Sequence, residues 1–421
     1  MINFKEMVKP SDGYVVRKIF SDPLIYRMEL DKIFTKAWLY IGHESQVKQE
    51  GDYITAFMGT EPIIIRREKG NKIKVYHNSC RHRGMKVCNT DSGNSNFFRC
   101  PYHGWTYGSG GALIGVPRYK SAYFEELKKE DFGLYQIKNV VNYHGTLWAN
   151  WDSKAISFEK FLGDMKFYLD MLFERFDYNF EVYGNVQRWT VPTNWKFPAD
   201  NGAGDSYHTS SAHESAVELG LRVPYSDNDF EISAGNGHGF GGQIGGMGKK
   251  VVVSQDYIEK TEMAIEKLSE KYGSFVKEIM PYGHMGIFPN FSLLDVWNYT
   301  TFRIWQPIGP LSTQIDSGIY VYSDIPEIEK EKIFRKYMLE FGPSGIFEQD
   351  DAEIWHQCTK SCNGPIGSSL AFNYQIGLNH ERLASDILGK GALGIYGTPF
   401  SEVNQRDFYS EWLKYMDNEV Q

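Results

Sequence analysis

Short apolar runs separated by polar turn residues dominate the chain between about residue 38 and residue 151. The runs at 53–59, 62–68, 73–80 and 145–151 are rich in β-branched and aromatic residues and are bounded by Gly, Asn, Asp or Lys. Short strands at such close spacing are typical of a small β-sandwich or barrel. The pattern therefore predicts an N-terminal all-β domain over residues 38–156.

The rest of the chain carries longer runs in which apolar residues recur at helical spacing. The segment 21–38 begins with Ser-Asp-Pro and predicts a helical N-terminal arm over residues 1–37, packed on the C-terminal domain. Residues 158–176 predict one amphipathic helix, at which the architecture changes. Two further helices and three strands are expected: helices at 257–273 and 326–342, and strands at 181–192, 292–307 and 314–323. Residues 157–421 are therefore predicted to form an α+β domain in which helices pack against a sheet.

Composition and charge narrow the possible functions. With 421 residues, 42% of them hydrophobic, the chain is long enough for two or three domains. The formal net charge of -8 argues against binding DNA or RNA, and no run resembles a membrane span. The first residues lack the apolar core of a signal peptide, and five cysteines do not make a disulfide framework. We therefore expect a protein of the reducing cytoplasm.

A glycine-rich segment at 231–253 has a spacing found in nucleotide-binding loops. Gly237, Gly239 and Gly242 satisfy G-x-G-x-x-G. That fingerprint requires a helix to begin at the glycines, whereas further glycines and three valines follow here. We instead expect a mobile surface loop that could serve as a lid. Without a nicotinamide site, reducing equivalents must come from another protein.

Two short loops each pair one thiol with one imidazole. They read Cys-x-His and Cys-x-x-His, are separated by seventeen residues, and supply four candidate ligands: Cys80, His82, Cys100 and His103. Structural zinc sites usually take two cysteines from each knuckle. One thiolate and one imidazole from each loop instead match a [2Fe–2S] cluster with Cys₂ on one iron and His₂ on the other. The spacing favours this Rieske-type cluster over zinc, and the glycine after each histidine allows a tight turn.

A second group of candidate ligands lies further along the chain. Asp205, His208 and His213 fall within nine residues. Imidazoles five residues apart are separated by about 140° on an ideal α-helix, so they can share a metal only if the helix is widened, as in a π-type turn. Two imidazoles and one carboxylate leave open positions on Fe(II) for dioxygen and substrate. Spacing does not identify the carboxylate, for which the segment 341–355 offers four candidates: Glu348, Asp350, Asp351 and Glu353.

Together and in this order, the motifs resemble those of the large (α) subunit of Rieske non-haem iron ring-hydroxylating dioxygenases, in their naphthalene-dioxygenase-like branch. The resemblance covers almost the whole chain and rests on CRHRG with CPYHGW, on the NWK…D-x-Y-H-x-x-x-x-H segment, and on FGPSGIFEQDD. It implies a Rieske domain at 38–156 and a helix-grip-like catalytic domain at 157–421. It also assigns ligands to both centres: Cys80 and Cys100 to one cluster iron, His82 and His103 to the other, and His208, His213 and Asp351 to the mononuclear iron.

The resemblance further implies an activity and partners. Both atoms of O₂ are expected to add to an aromatic, polycyclic hydrocarbon ring, giving a cis-dihydrodiol. Electrons are expected from NADH through a reductase and a ferredoxin, and a small β subunit is expected in an α₃β₃ assembly, although α-only trimers also occur. Asp205 matches an aspartate that links the iron site to a cluster histidine of the neighbouring subunit. Asp205 and Asn201 are the expected catalytic residues, and Asn201 and Phe341 match pocket-lining positions.

Other functions remain compatible with the sequence. Gly202 and Ala203 stand where the naphthalene-type branch commonly has bulkier residues, and Arg303 could anchor a carboxylate, although a structural arginine at a strand end is favoured. An oxygenase of aromatic acids, such as benzoate, phthalate or salicylate, is therefore the main alternative. A Rieske electron carrier would hold about two irons per chain rather than about three. A zinc-binding module would be colourless.

Overall fold

The computed structural model describes residues 2–220, 229–243, 254–280, 282–296, 299–398 and 400–419. The chain divides into two compact units. The small unit is Trp38–Ala155, and the large unit combines Met1–Ala37 with Ile156–Gln421. Among the described helices, none is both long and apolar enough to cross a membrane.

The N-terminal arm belongs to the large unit and mixes short helices with short strands. Its elements are α1 (Phe4–Met7), β1 (Val8–Lys9), β2 (Tyr14–Val16) and α2 (Pro23–Lys32). Helix α2 is capped by Asp22, whose carboxylate accepts hydrogen bonds from two main-chain N–H groups of the first turn. Strand β2 pairs with a later strand at Ala371–Asn373, so the arm is helical only in part.

The small unit is built from short antiparallel strands, because its runs of β-branched and aromatic residues are short and are separated by turn residues. One sheet has five strands and two others have three each. The elements are β3 (Leu39–His43), β4 (Asp52–Met58), β5 (Glu61–Glu68), β6 (Lys72–His77), β7 (Ser92–Asn94), β8 (Phe98–Arg99), β9 (Thr106–Tyr107), β10 (Leu113–Gly115), α3 (Tyr119–Ala122), β11 (Gln136–Ile137), β12 (Asn139–Tyr143) and β13 (Thr146–Asn150).

The large unit is organised around an antiparallel sheet of nine strands, in the order β14-β20-β19-β18-β17-β16-β15-β23-β22. Helices pack against this sheet, so the predicted α+β class, with an N-terminal β domain, is confirmed. The helices are α4 (Phe158–Leu162), α5 (Met165–Arg175), α6 (Lys196–Gly204), α7 (Thr209–Ala212), α8 (Glu214–Glu218), α9 (Gln255–Tyr272), α10 (Val276–Ile279), α11 (Glu327–Phe341), α12 (Ile346–Cys362), α13 (Ala384–Ile387) and α14 (Val403–Met416). The strands are β14 (Phe180–Val191), β15 (Asp229–Ser233), β16 (Gly239–Gln243), β17 (Tyr282–Ile287), β18 (Phe291–Val296), β19 (Thr300–Gly309), β20 (Ser312–Tyr322), β21 (Ala371–Asn373), β22 (Arg382–Leu383) and β23 (Ile395–Gly397).

Two of the predicted elements are each divided in the structure. The single helix expected over 158–176 is wrong, because Gly163 adopts φ +53° and separates α4 from α5. The strand expected over 292–307 is instead the antiparallel pair β18 and β19. Residues 297 and 298, between these strands, lie outside the described residues.

The mobile surface loop expected at the glycine-rich segment is wrong for residues 231–243. Residues 231–233 and 239–243 lie in strands β15 and β16, which pair with each other in the interior of the nine-stranded sheet, and residues 234–238 connect them. Residues 244–253 lie outside the described residues. A Cβ at Gly239 would lie 2.1 Å from the carbonyl oxygen of Ala203, and one at Gly286 of β17 would lie 2.3 Å from the Ala203 Cα. The glycines therefore allow helix α6 to lie directly on the sheet.

Candidate functional sites

The two Cys/His loops of the small unit have the same backbone geometry. In each loop the cysteine N–H donates to the carbonyl five residues ahead, Met85 or Trp105, at 2.8 Å. Each cysteine carbonyl accepts from the N–H of the glycine four residues later, and both glycines have φ +74°. This left-handed conformation favours glycine, as the sequence predicted for these turns. The loops are therefore a matched pair that presents equivalent side chains.

The four candidate cluster ligands converge between these loops. The Cys80 and Cys100 thiols lie within interaction distance of each other, and burial raises the pKa of Cys100. The His82 and His103 ring centroids are 4.5 Å apart. The Nδ1 atom of His82 is buried and has no hydrogen-bond partner among the described residues. Paired thiols, paired imidazoles and an unsatisfied ring nitrogen fit a metal cluster held by both loops.

Two aromatic side chains, those of Trp105 and Tyr107, lie against the candidate cluster ligands. The indole of Trp105 stacks on His82 with a centroid distance of 5.0 Å and an interplanar angle of 9°. The Tyr107 hydroxyl lies 3.3 Å from the Cys80 sulfur and accepts the Arg81 main-chain N–H at 2.9 Å. Hydrogen bonding and burial at ligand sulfurs are among the factors that tune a cluster's potential. Trp105 is buried, whereas Arg83, which follows His82, is exposed.

In the large unit, His208, His213 and Asp351 form the second candidate centre. The Nε2 atoms of the two histidines lie 3.4 and 3.5 Å from the same oxygen, Asp351 Oδ1. One ligand atom from each residue lies within 4.8 Å of the other two, a spacing that suits an ion about 2 Å from each donor. Burial lowers the pKa of His208, but the Asp205 and Asp351 carboxylates raise it to about 10. This surplus of negative charge would also favour a metal cation.

The backbone brings the two histidines together without the expected π-type turn. His208 precedes α7, and His213 lies at the junction between α7 and α8 with φ -109° and ψ 28°. A break between two short helices therefore replaces the predicted widening within one helix. The ring centroids are 5.3 Å apart.

The four acidic candidates on α12 have different surroundings, which the sequence could not distinguish. Asp350 Oδ2 accepts from His213 Nδ1 at 3.1 Å, and Glu348 Oε2 accepts from Arg303 at 3.0 Å. Glu353 is exposed and accepts from Gln357 at 2.7 Å. Of the four, Asp351 is the carboxylate that lies beside both histidine Nε2 atoms.

Asp205 and Asn201 lie on the opposite side of the His208 ring. Nδ1 of His208 donates to the main-chain carbonyl of Asp205 at 2.5 Å, while the Asp205 carboxylate is 3.5 Å away. Asn201 Nδ2 lies 3.4 Å from the same nitrogen. A proton held on Nδ1 leaves Nε2 free to bind a metal. The main-chain carbonyl of Asp205 is therefore closer to His208 Nδ1 than the Asp205 carboxylate is.

A cavity opens at the second centre. Besides the three candidate ligands, its lining includes Asn201 and Phe341, as well as aliphatic, tryptophan and polar side chains. Gly202 also lines it, but a Cβ there would lie 2.9 Å from both Cβ and Oγ of Ser292. The bulkier residue common at this position would therefore not fit this backbone.

Two polar groups at the cavity, His284 and Arg303, have partners that the sequence did not reveal. His284 Nε2 donates to the fully buried Glu231 at 3.2 Å, and Glu231 also accepts from Asn404 at 2.8 Å. Arg303 lies in the middle of β19 rather than at a strand end, is nearly buried, and pairs with Glu348. Only the structure reveals these pairs, because their members are 45 to 173 residues apart.

Family models match both units. The model described as the Rieske [2Fe-2S] domain matches residues 37–136, and the model of the ring-hydroxylating α subunit catalytic domain matches residues 160–418. These matches agree with the cluster geometry in the small unit and with the His/Asp group in the large unit.

Individual proteins match over almost the full length. The chain is 35% identical to a biphenyl 2,3-dioxygenase subunit alpha of Rhodococcus jostii, over 98% of this chain and 90% of the relative. It is 35% identical to a benzene 1,2-dioxygenase subunit alpha of Pseudomonas putida, over 96% and 91%. A crystal structure of naphthalene 1,2-dioxygenase from Rhodococcus sp. bound to indole superposes with a TM-score of 0.87 at 35% identity, covering 98% and 96% of the two chains.

The cofactors follow from these matches and from the two sites. The chain carries a Rieske [2Fe–2S] cluster and a mononuclear iron. It belongs to the α subunits of the Rieske non-haem iron ring-hydroxylating dioxygenases.

Proposed function

We propose that this chain is the terminal oxygenase component that adds both atoms of O₂ to an aromatic hydrocarbon ring, including polycyclic rings, and releases a cis-dihydrodiol. The reaction consumes two electrons and two protons for each O₂. The observation that carries the proposal is the convergence of His208, His213 and Asp351 beside one cavity. An iron held by two imidazoles and one carboxylate keeps open positions at which dioxygen and substrate can meet.

In this proposal each site residue has a separate role. Cys80 and Cys100 bind one cluster iron and His82 and His103 the other, within a Rieske domain at 38–156. In a catalytic domain at 157–421, with the arm 1–37 packed on it, three residues bind Fe(II): His208, His213 and Asp351. Electrons from the cluster of a neighbouring subunit pass through Asp205. Asn201 assists catalysis at the iron, and Asn201 and Phe341 contact the substrate. Support comes from the position of Asn201 beside His208 and of both pocket residues in the cavity lining.

A neutral ring is a better substrate for this cavity than an aromatic acid. Arg303 is the cavity-lining residue that could bind a carboxylate, but its guanidinium is paired with Glu348. A substrate carboxylate would have to compete with Glu348 for the Arg303 guanidinium. The pairing supports hydrocarbon substrates, in agreement with the substrate names of the biphenyl, benzene and naphthalene dioxygenases.

The proposed assembly includes other proteins. Electrons come from NADH through a reductase and a ferredoxin, and a small β subunit joins three copies of this chain in an α₃β₃ oxygenase in the cytoplasm. The isolated chain should therefore consume no NADH until a reductase is added. NADH oxidation by the purified chain alone would contradict this part of the proposal.

The activity is tested by isotope incorporation. The reconstituted oxygenase, supplied with ferredoxin, reductase and NADH, should convert naphthalene or biphenyl under ¹⁸O₂ to a cis-dihydrodiol in which both oxygens are labelled. Benzoate and salicylate, run in parallel, should be turned over more slowly. A product with one labelled oxygen, or faster turnover of the acids, would contradict the proposal.

A further inference from the structure

Glu348 and Asp351 lie three residues apart on α12 and so share one face of the helix. Glu348 is 1% exposed, while Asp351 reaches the candidate iron site from the next turn. Because the helix backbone is rigid over one turn, whatever fixes Glu348 also fixes the point at which the Asp351 side chain leaves the helix.

Arg303 is what fixes Glu348. It projects from the middle of β19, and its Nη2 donates to Glu348 Oε2 at 3.0 Å. The side chains of the pair are 10% and 1% exposed. A carboxylate buried to this extent is costly without a cation, so the contact is much stronger than a surface ion pair. The pair therefore ties α12 to the central sheet.

The start of α12 is held by the Gln349 side chain, which donates to the Ser344 carbonyl at 2.8 Å, and by contacts with other elements. Its N-cap is Gly345, which offers no side-chain cap. Phe347 stacks on Phe341 with a centroid distance of 5.3 Å and meets the edge of His213 at 5.2 Å. The Arg303 guanidinium lies 5.0 Å from the Phe341 ring. Arg303 thus contacts both Glu348, in the first turn of α12, and Phe341, which stacks on Phe347 of the same turn.

We propose that the Arg303–Glu348 ion pair is a positioning device for the mononuclear iron, holding the first turn of α12 so that Asp351 faces His208 and His213. This deepens the proposed function and rests on it, because it takes Asp351 to be an iron ligand. Neither residue is among the candidate iron ligands, so both act through Asp351.

The test compares two buried ion pairs of the same unit. Arg175 and Asp295 form a pair at 2.6 Å whose side chains are 2% and 4% exposed, and neither is among the candidate ligands. Four variants of the full chain, carrying its cluster, are titrated with Fe(II): Glu348→Gln and Arg303→Lys, with Asp295→Asn and Arg175→Lys as matched controls. Sulfide content and the cluster's EPR signal report the intact small unit, and urea unfolding reports stability.

Glu348→Gln should weaken Fe(II) binding by about 10- to 100-fold, the usual effect of losing a partner that orients a metal ligand. Arg303→Lys, which keeps the charge, should lose less. The two control variants should be less stable than the unaltered chain but should bind Fe(II) equally tightly. Unchanged affinity in Glu348→Gln, or an equal loss in Asp295→Asn, would overturn the positioning role. If the unaltered chain bound no iron beyond its cluster, the proposed function itself would fail, and this proposal with it.

Discussion

At the scale of single residues, both candidate histidine ligands have one ring nitrogen held by an oxygen of the protein. His208 Nδ1 donates to the Asp205 carbonyl, and His213 Nδ1 donates to Asp350. Each histidine consequently presents Nε2 to Asp351. Partners of this kind fix the tautomer and orientation of a metal-ligating imidazole and increase its basicity.

Removal of the Asp350 carboxylate should release the His213 ring. Asp350→Ala should bind the mononuclear iron about 10- to 100-fold more weakly, with the cluster unchanged. Glu353→Ala is the matched control, because Glu353 lies on the same helix but is exposed. Fe(II) titration of both variants measures the effect. Equal affinities would show that Asp350 does not orient the ligand.

His238 should make stability depend on pH independently of either metal centre. Its ring is fully buried, donates from Nε2 to the Phe161 carbonyl and accepts the Phe288 N–H at Nδ1, so it is neutral. Burial lowers the pKa of His238 to about 4 from 6.5. Between these values the unfolded chain binds the proton and the folded chain does not, so stability falls as pH decreases from 6.5 to 4.

The expected loss is roughly 3 kcal/mol over that interval, at 1.36 kcal/mol per pKa unit. It is measured as the difference in unfolding free energy between pH 7 and pH 4.5 for the unaltered chain and for His238→Gln, in which the difference should shrink. His380→Gln, at an exposed histidine, is the control. An undiminished pH effect in His238→Gln would contradict the assignment.

The candidate cluster ligands could be predicted from the sequence because the chemistry of metal binding selects cysteine and histidine. The two thiols and the imidazoles stand in spacings that few other sites need. The choice between Asp350 and Asp351 was different, because it depends on how α12 is rotated about its axis, and Arg303 and Phe347 contribute to that rotation. The family resemblance supplied Asp351, and spacing did not.

At the scale of elements, the glycines of β16 and β17 determine how closely α6 approaches the sheet. The C-terminal end of α6 leads directly into Asp205 and His208, so this packing sets the height of the iron site above the strands. Glycine is required here because a Cβ would not fit. Backbone conformation is not the reason, since neither Gly239 nor Gly286 has positive φ.

Gly286→Ala should destabilise the large unit by about 1–3 kcal/mol, because its Cβ would meet the Ala203 backbone. It should also lower iron occupancy, since α6 must move. Gly364→Ala is the control, at a position where nothing lies within 4 Å of the added Cβ. Urea unfolding and iron analysis measure both effects. Equal stabilities of the two variants would contradict the packing argument.

Apolar runs and helical spacing predicted the longer helices and strands, including four strands of the small unit, but missed the short ones. The glycine-rich segment was misassigned because glycine weakens the strand pattern. The glycines are needed because helix α6, some thirty residues earlier in the chain, packs directly on these strands. The break at Gly163 follows from the left-handed backbone of this glycine, and the junction at His213 was not indicated by the periodicity.

At the scale of the whole molecule, electrons must reach the mononuclear iron from a cluster in a different compact unit. The proposed route enters at Asp205, whose side chain is 31% exposed. In Asp205→Ala the main-chain carbonyl that holds His208 is still present, so iron and cluster should both be retained. Reoxidation of the reduced cluster by O₂ and substrate should slow by at least about tenfold, as followed by stopped-flow absorbance. Reoxidation at the unaltered rate would exclude Asp205 from the route.

Iron and sulfide analysis of the unaltered chain and His213→Ala tests the division into two centres most directly. We expect about three irons and two sulfides per chain in the first, and about two irons and two sulfides, with an unchanged cluster EPR signal, in the second. A chain with only two irons, or a His213→Ala variant that keeps the third, would contradict the account.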